Sequence, residues 1–282
     1  MEVVTKIAPL ALALIMLTLG LGLTGQDFLR VIKQPRDFIV GLICQLILLP
    51  IIAFILIKVF NSPLELALGV MIIAAAPGGV TSNVLTKFAN GDVALSVSLT
   101  AIISLISILS VPLIVFKSAD LLNISNITNE ISMIAISMKM FLVVTLPVLI
   151  GMLIRKFATN FIMMKSQLIE RISVLLFVIV FAAIWIEEWE NIIGYIQQAG
   201  LITLVLNILM MFVGYYVAKF LASGVAQRKS ISLECGLQNG TLAVFVASQL
   251  FNDIAYLIPT ATYAIVMFIT SIIFVFIVRK IN

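Results

Sequence analysis

The sequence contains no histidine, few charged residues and only two cysteines, and each shortage excludes a class of protein. Without histidine, Ser-His nucleophiles, histidine metal ligands and histidine proton relays are all excluded. Aspartyl intramembrane enzymes need two aspartates inside membrane spans, and the spans predicted below contain none. Cys44 and Cys235 both lie inside apolar runs, so they predict no disulfide framework. The chain is therefore not expected to be an enzyme.

Charged residues make up only 11% of the 282 residues, whereas 62% are hydrophobic. A soluble domain of this size carries about 25% charged residues, so the surface of this chain must face lipid. The apolar runs are long and do not alternate, which favours helices over barrel strands. The basic residues are scattered among loops, so the net charge of +4 indicates no nucleic-acid partner. The bilayer is the expected environment, and no obligate protein partner is evident.

The apolar runs predict an all-α integral membrane protein with about nine transmembrane helices in one polytopic domain, residues 1–282. The connections are short, so they leave no room for a soluble domain. The predicted spans run roughly 7–23, 38–60, 64–89, 93–116, 131–154, 168–187, 199–222, 230–252 and 256–278.

The positions of lysine and arginine predict the orientation of these spans. With the N-terminus outside, thirteen of the 17 basic residues are cytoplasmic, Lys6, Lys58 and Lys117 are outside, and Lys139 lies within a span. We therefore expect a multi-pass protein of the inner (plasma) membrane, with the N-terminus outside and the C-terminus in the cytoplasm. The thirteen are Arg30, Lys33, Arg36, Lys87, Arg155, Lys156, Lys165, Arg171, Lys219, Arg228, Lys229, Arg279 and Lys280.

The third predicted span is interrupted near its middle by Pro77, Gly78 and Gly79. At about 1.5 Å per residue, neither half crosses a hydrocarbon core of about 30 Å alone. Thr81 and Ser82 follow the break, as is typical of a new helix N-terminus. The alternative is a simple kink, because proline and glycine also occur within regular spans.

The eighth predicted span carries a polar cluster at membrane depth, in the segment SLECGLQNG. Glu234 is the acidic residue predicted well inside a span, and a charge there costs a few kcal/mol by insertion scales. Its default interpretation is functional, with a structural ion pair to Lys139 as the alternative. Paired interrupted helices in two halves of a chain indicate a transporter binding site.

Serine, threonine, asparagine and glutamine offer neutral oxygens around this single carboxylate, and hard cations prefer oxygen ligands. Unwound carbonyls and half-helix ends are the usual membrane devices for Na⁺. If two sodium ions shared Glu234, the occupied site would be net positive and would favour an anionic substrate. The cluster therefore suggests coupled transport.

Three segments resemble the bile acid:sodium symporter family: APGGVTSNVLTKFANGDVALSVSLT at 76–100, ECGLQNG at 234–240 and GLICQLILLP at 41–50. The resemblance is spread over most of the chain. It implies two inverted repeats, with the first of ten spans lacking here, and two discontinuous helices that cross at their breaks. It also implies a panel domain of spans 7–23, 131–154 and 168–187, with the other six spans forming a core domain.

The resemblance also implies specific ligands for two co-transported sodium ions and for a substrate beside the crossing. The first sodium site would be formed by Ser82, Asn83, Ser96, Thr100 and Glu234. The second would be formed by Gln45, Glu234 and Gln238, with the backbone carbonyls of Cys235 and Leu237. The candidate substrate residues are Val80, Thr81 and Asn239.

The implied function is sodium-coupled symport of a small organic anion by alternating access, either bile-acid-like or a smaller acid such as pantoate. The chain departs from bile-acid-binding members at Val80, Met267 and Phe268, so the sodium residues transfer better than the substrate contacts. Two alternatives stay open. One is a proton-coupled carrier with Glu234 as its proton site. The other is a metalloid or anion extruder of related fold, although such proteins use a cysteine where Gly78 and Gly79 stand.

The orientation can be tested with single-cysteine tags at the two ends of the chain. We expect Glu2→Cys to react with an impermeant maleimide from outside the cell, and Asn282→Cys to react only after permeabilisation, because of the basic-residue asymmetry. Labelling of both positions from the same side would contradict the arrangement.

Overall fold

The computed structural model describes residues 2–33, 35–124, 132–187 and 189–281, and within these ranges the chain is helical with no β-strand. Residue 131, where the fifth span is predicted to begin, lies outside them. The first α-helices are α1 (Glu2–Gly22), α2 (Gly25–Lys33), α3 (Pro35–Ile43), α4 (Leu49–Val59), α5 (Leu64–Ala75), α6 (Thr81–Phe88) and α7 (Val93–Leu121). They are followed by α8 (Met133–Met140), α9 (Leu146–Phe157), α10 (Thr159–Met164), α11 (Ser166–Glu187), α12 (Ile192–Leu221), α13 (Val225–Gly236), α14 (Gly240–Leu250) and α15 (Ile258–Val278).

Seven stretches of the described chain are long and apolar enough to cross a membrane, which confirms the all-α membrane class. They are Thr5–Gly22, Pro35–Val59, Val93–Leu121, Met133–Phe157, Ser166–Ile186, Ile196–Leu221 and Ile254–Val278. The two remaining predicted spans are divided: 64–89 into α5 and α6, and 230–252 into α13 and α14. The total of nine membrane crossings stays a prediction.

Two of the long stretches contain a π-helical turn, at Cys44–Leu48 and at Phe141–Thr145. Each turn is followed by a Leu-Pro pair, and proline has no N–H to donate to the preceding turn. The Leu49 N–H bonds to Cys44 O, five residues back, so the helix widens by one residue. The first of these turns carries Gln45, whose side chain is buried. Neither turn was predicted from the sequence.

A network of polar contacts joins several of the connections between helices. Arg30 forms an ion pair of 2.6 Å with Asp92, which also accepts a hydrogen bond of 3.0 Å from Gln227 Nε2. Asp92 caps α7 by accepting from the Leu95 N–H at 3.0 Å. Asn90, with a φ of 55°, makes the tight turn between α6 and α7. This turn brings the polar faces of α6 and α7 together.

Helix α1 packs chiefly against α9 and α11, and it also contacts α14. Helices α1 and α9 approach closely because each has a glycine at their contact. A Cβ added to Gly20 would lie 2.2 Å from the Val148 carbonyl oxygen, and one added to Gly151 would lie 2.4 Å from the Leu17 carbonyl oxygen. Small residues allow membrane helices to approach closely in this way.

Substitution of Gly20 should separate α1 from α9. Gly20→Ala places a methyl group against backbone, so we expect destabilisation of roughly 1–3 kcal/mol or more. Gly22→Ala, two residues along the same helix, meets nothing within 4 Å and is the matched control. The measurement is the apparent melting temperature of each purified variant in detergent. Equal melting temperatures for the two variants would contradict the close contact.

Candidate functional site

The two helix breaks cross and bond to each other through their backbones. Gly78 and Gln238 pair as an isolated antiparallel bridge. The Gly79 N–H donates to Leu237 O at 3.0 Å, and the Asn239 N–H donates to Pro77 O at 2.9 Å. These bonds satisfy backbone groups that no water in a bilayer core could satisfy. The predicted crossing of two discontinuous helices is confirmed.

The local sequence explains where each half-helix stops and restarts. A residue before proline is disfavoured in the helical region, and Ala76 is extended with a ψ of 109°, so α5 ends before Pro77. Asn239 begins α14 as its N-cap, with Oδ1 accepting from the Leu242 N–H at 3.0 Å. The break itself therefore positions Asn239 at the crossing.

Glu234 lies at the end of α13 beside the crossing, and its side chain is 0% exposed. Its Oε1 accepts hydrogen bonds from Ser82, from Ser96 at 2.5 Å and from Thr100 at 3.1 Å. Its Oε2 accepts from Gln45 Nε2 at 3.4 Å. Side chains from the π-helical turn, α6 and α7 thus converge on the one carboxylate that α13 carries.

No lysine or arginine among the described residues forms an ion pair with Glu234. Lys139, the partner considered from the sequence, instead donates to Gln249 Oε1 at 2.8 Å, so that alternative is wrong. A buried carboxylate without a counter-charge is costly, and hydroxyl donors offset only part of that cost. A cation bound from solution would therefore stabilise the buried Glu234 carboxylate.

Two buried amide oxygens of the predicted sodium residues have no hydrogen-bond donor among the described residues: Asn83 Oδ1 and Gln238 Oε1. Buried polar atoms are normally satisfied, and an amide oxygen without a donor suits a hard cation. One of these residues was predicted in each sodium site. The Asn83 side chain forms no hydrogen bond with Glu234 among the described residues, although that of the preceding residue, Ser82, does.

The residues predicted for the second sodium site lie around the crossing. Gln45 Oε1 accepts from the Gly78 N–H at 3.0 Å, which links the π-helical turn to the first break. Cys235 O accepts from Gln238 Nε2 at 2.8 Å, and Leu237 O accepts from the Gly79 N–H. Each carbonyl oxygen retains a second lone pair. Together with Glu234, these groups surround the second break.

Sequence reasoning missed a second polar group that supports the break at Gly236. Asn207 Nδ2 donates to Gly236 O at 2.7 Å, and the Tyr263 hydroxyl donates to the same oxygen at 3.1 Å. Thr270 in turn donates to Asn207 Oδ1 at 2.5 Å. Asn207 is a polar residue within a long apolar run, and this position is the feature of the sequence that could have identified it.

The three predicted substrate residues, Val80, Thr81 and Asn239, line one narrow cavity of about 40 Å³ beside the crossing. A larger cavity of about 330 Å³ lies between α1, α6, α9 and α11. The two cavities share part of their lining, including Val80, Glu170 and Ser173. The predicted substrate residues are thus brought together in the narrow cavity, and Val80 also lines the larger one.

Comparison with known proteins is consistent with this arrangement. The model of the Sodium Bile acid symporter family matches residues 9–195. The chain belongs to that family. It is therefore a transporter and not an enzyme, as expected from the sequence.

Named relatives of this family member are found in bacteria, plants and animals. The "Uncharacterized sodium-dependent transporter YocS" of Bacillus subtilis is 29% identical over 259 residues, covering 90% of this chain and 77% of that protein. The "Probable sodium/metabolite cotransporter BASS1, chloroplastic" of Arabidopsis thaliana is 29% identical over 254 residues, covering 90% and 62%. The "Sodium-dependent organic anion transporter" of Bos taurus is 29% identical over 251 residues, covering 84% and 62%. This chain thus spans less than two thirds of the plant and bovine relatives.

The two glycines of the first break should differ in their tolerance of a side chain. A Cβ at Gly78 would lie 2.6 Å from Glu234 Oε2, whereas a Cβ at Gly79 would lie 3.5 Å from its nearest neighbour, Gln238 O. We expect Gly78→Ala to destabilise the fold by roughly 1–3 kcal/mol through overpacking, and Gly79→Ala to be tolerated. Denaturant unfolding of the two purified variants measures the difference. A tolerated alanine at Gly78 would mean that the carboxylate is not packed against the break.

Proposed function

We propose that this protein is a symporter that couples the movement of Na⁺ to the transport of a small organic anion by alternating access. The observation that carries the proposal is the fully buried Glu234, which has hydroxyl and amide donors around it and no counter-cation among the described residues. A cation taken up from solution would neutralise it. The names of the relatives, which describe sodium-dependent transporters, support Na⁺ as that cation.

Two sodium ions would share the Glu234 carboxylate. One would be held by Ser82, Asn83, Ser96 and Thr100, and the other by Gln45, Gln238 and the carbonyl oxygens of Cys235 and Leu237. This donor set is one carboxylate among neutral oxygens, which suits a hard monovalent ion. The unpartnered oxygens of Asn83 and Gln238 support one ion in each set.

The substrate would bind in the cavities beside the crossing, in contact with Val80, Thr81 and Asn239. The narrow cavity is lined by Thr81 at the start of α6 and by Gly240 at the start of α14. Helix N-termini carry partial positive charge and free N–H groups. Two bound sodium ions would add to that potential, so an organic anion is favoured, bile-acid-like or smaller, as pantoate is.

Alternating access would come from movement of a panel domain against a core domain. The panel comprises α1, α8–α9 and α11, and the core comprises the remaining spans. The larger cavity lies on this boundary, because Thr18 and Ser173 line it from the panel and Val80 and Asn83 from the core. Separation of the two groups would open the cavity, and their approach would close it. The protein would act in the plasma membrane with its N-terminus outside.

Replacement of Glu234 should abolish the response to sodium. Glu234→Gln keeps an oxygen but removes the formal charge, so two desolvated cations would lack an anion. We expect Na⁺ affinity to fall roughly 100-fold or more. The measurements are thermal stabilisation by NaCl relative to choline chloride at fixed pH and uptake driven by a sodium gradient. Glu65→Gln, at the start of α5 and outside the cluster, is the matched control and should respond as the parent does.

The same carboxylate could serve a proton-coupled carrier, and the parent protein separates the two mechanisms. In a proton-coupled carrier, Glu234→Gln resembles the protonated state, so substrate exchange would persist while pH-driven accumulation was lost. Identical uptake by the parent in Na⁺ and in choline would overturn the sodium assignment, whatever the variant does.

A further inference from the structure

Three polar side chains on α12 and α15 form a group beside the second break, and none of them belongs to the proposed sodium sites. They are Asn207, which is 0% exposed, Tyr263, which is 1% exposed, and the half-buried Thr270. All three lie within predicted membrane spans, where a polar side chain is costly unless it is hydrogen-bonded. We call them the Asn207 group.

The Asn207 group bonds to a carbonyl oxygen that has lost its helical partner at the break. In a continuous helix the Gly240 N–H would donate to Gly236 O, but here it donates to Gln238 O at 3.0 Å. Asn207 Nδ2 and the Tyr263 hydroxyl donate to Gly236 O instead, at 2.7 Å and 3.1 Å. Two side chains from other helices therefore replace one lost backbone hydrogen bond.

Hydrogen bonds within the group fix the orientation of the Asn207 amide. The Thr270 hydroxyl donates to Asn207 Oδ1 at 2.5 Å. The two hydrogens of Asn207 Nδ2 are then available to Gly236 O and to the Tyr263 oxygen, which lies 3.1 Å away. Each polar atom of the Asn207 side chain thus has a partner, and the side chain is held in one orientation.

The bonds to Gly236 O fix the peptide group that lies between two proposed sodium ligands. Gly236 C=O and the Leu237 N–H belong to one planar peptide group, and the Leu237 N–H donates to Leu233 O at 2.9 Å. This peptide group is therefore held at both ends. Cys235 O belongs to the peptide group before it and Leu237 O to the one after it, so the directions of both oxygens depend on it.

We propose that the Asn207 group positions the carbonyl oxygens of Cys235 and Leu237, and thereby determines the affinity and the ion selectivity of the second sodium site. The inference rests on the proposed function, because it takes those two oxygens to be ligands of Na⁺. Asn207 is a positioning residue, since it acts on the ion through the intervening peptide group. Oxygens held at a fixed spacing favour the ion whose radius fits, whereas mobile oxygens accept ions of several sizes.

Replacement of Asn207 should weaken Na⁺ binding although every proposed ligand stays in the chain. Asn207→Leu keeps the approximate size of the side chain and removes both donors. Loss of such indirect support costs roughly 10- to 100-fold in ion affinity, so we expect the NaCl concentration at half-maximal thermal stabilisation to rise by at least about 10-fold. The purified full-length protein is titrated with NaCl and with LiCl, and choline chloride keeps the ionic strength constant. The preference for Na⁺ over Li⁺ should fall, and an unchanged midpoint or an unchanged preference would overturn the proposal.

Milder variants test the same role if Asn207→Leu does not fold. Tyr263→Phe removes one of the two donors to Gly236 O, and Thr270→Val removes the donor that orients the Asn207 amide. Both should raise the NaCl midpoint by a smaller factor than Asn207→Leu. Thr270→Ser keeps the hydroxyl and should restore the parent midpoint. Equal midpoints for Thr270→Val and Thr270→Ser would contradict the positioning role.

Two buried threonines on the same helices provide matched controls. Thr203 on α12 is 0% exposed and Thr262 on α15 is 3% exposed, and their hydroxyls donate to carbonyl oxygens of their own helices. Thr203→Val and Thr262→Val remove a buried hydroxyl that does not contact the break. They should keep the NaCl midpoint of the parent even if the melting temperature falls. Midpoint shifts as large as that of Asn207→Leu would mean that Asn207 acts only through general stability, and the proposal would fail.

Two further comparisons locate the effect. In a Gln238→Leu background, where a proposed ligand of the second ion is already missing, Asn207→Leu should change the midpoint little, and a full 10-fold shift there would place its effect elsewhere. The parent separates this proposal from the proposed function. If NaCl does not stabilise the parent relative to choline chloride, sodium coupling and the positioning role both fail; if it does and Asn207→Leu keeps the parent midpoint, only the positioning role fails.

Discussion

A buried carboxylate without a counter-charge among the described residues is the constraint on which the centre of this protein depends. Glu234 is 0% exposed, and its hydrogen-bonding neighbours come from three separate segments of the chain. Each neighbour offsets part of the cost of burying the charge. None of them carries a positive charge, so the arrangement is complete only with a cation. A site that must take up and release its counter-ion is what ion-coupled transport requires.

Hydrogen bonds hold the backbone around that carboxylate as well as the side chains. Bonds between the two breaks replace the helical bonds lost at Pro77 and Gly236, while Asn207 and Tyr263 bond to the Gly236 carbonyl oxygen. A Cβ at Gly78 would lie 2.6 Å from Glu234 Oε2, so a side chain there would displace the carboxylate. Irregular backbone at membrane depth is stable only when protein or a wet cavity satisfies it. The crossing therefore keeps its oxygens fixed in place even though it lacks regular secondary structure.

The breaks and Glu234 could be predicted from the sequence, because polar residues, proline and glycine stand out in apolar runs. The hydroxyl partners of Glu234 followed only from the resemblance to the bile acid:sodium symporter family. The two half-helices, the crossing and the convergence of Gln45, Ser96 and Thr100 on Glu234 agree with those predictions. The π-helical turns could not be predicted, since a Leu-Pro pair is equally compatible with a regular helix start. The role of Asn207 could not be assigned either, because it depends on which distant helices pack together.

The sodium sites and the substrate cavities share residues, and this sharing supplies a physical basis for coupling. Asn83, a proposed ligand of the first ion, lines the larger cavity, and Gln238, a proposed ligand of the second, lines the narrow one. A cation bound by these two amide oxygens would fix side chains that also line the cavities. The substrate would then meet a lining already in position, so ion binding would raise substrate affinity, and by linkage the substrate would raise ion affinity by the same factor. Because Thr18 of α1 and Ser173 of α11 also line the larger cavity, a bound substrate would bridge the proposed panel and core groups of helices. Occupancy of the sodium sites would thereby be transmitted to the panel through the substrate, without any direct contact between the panel and the ions.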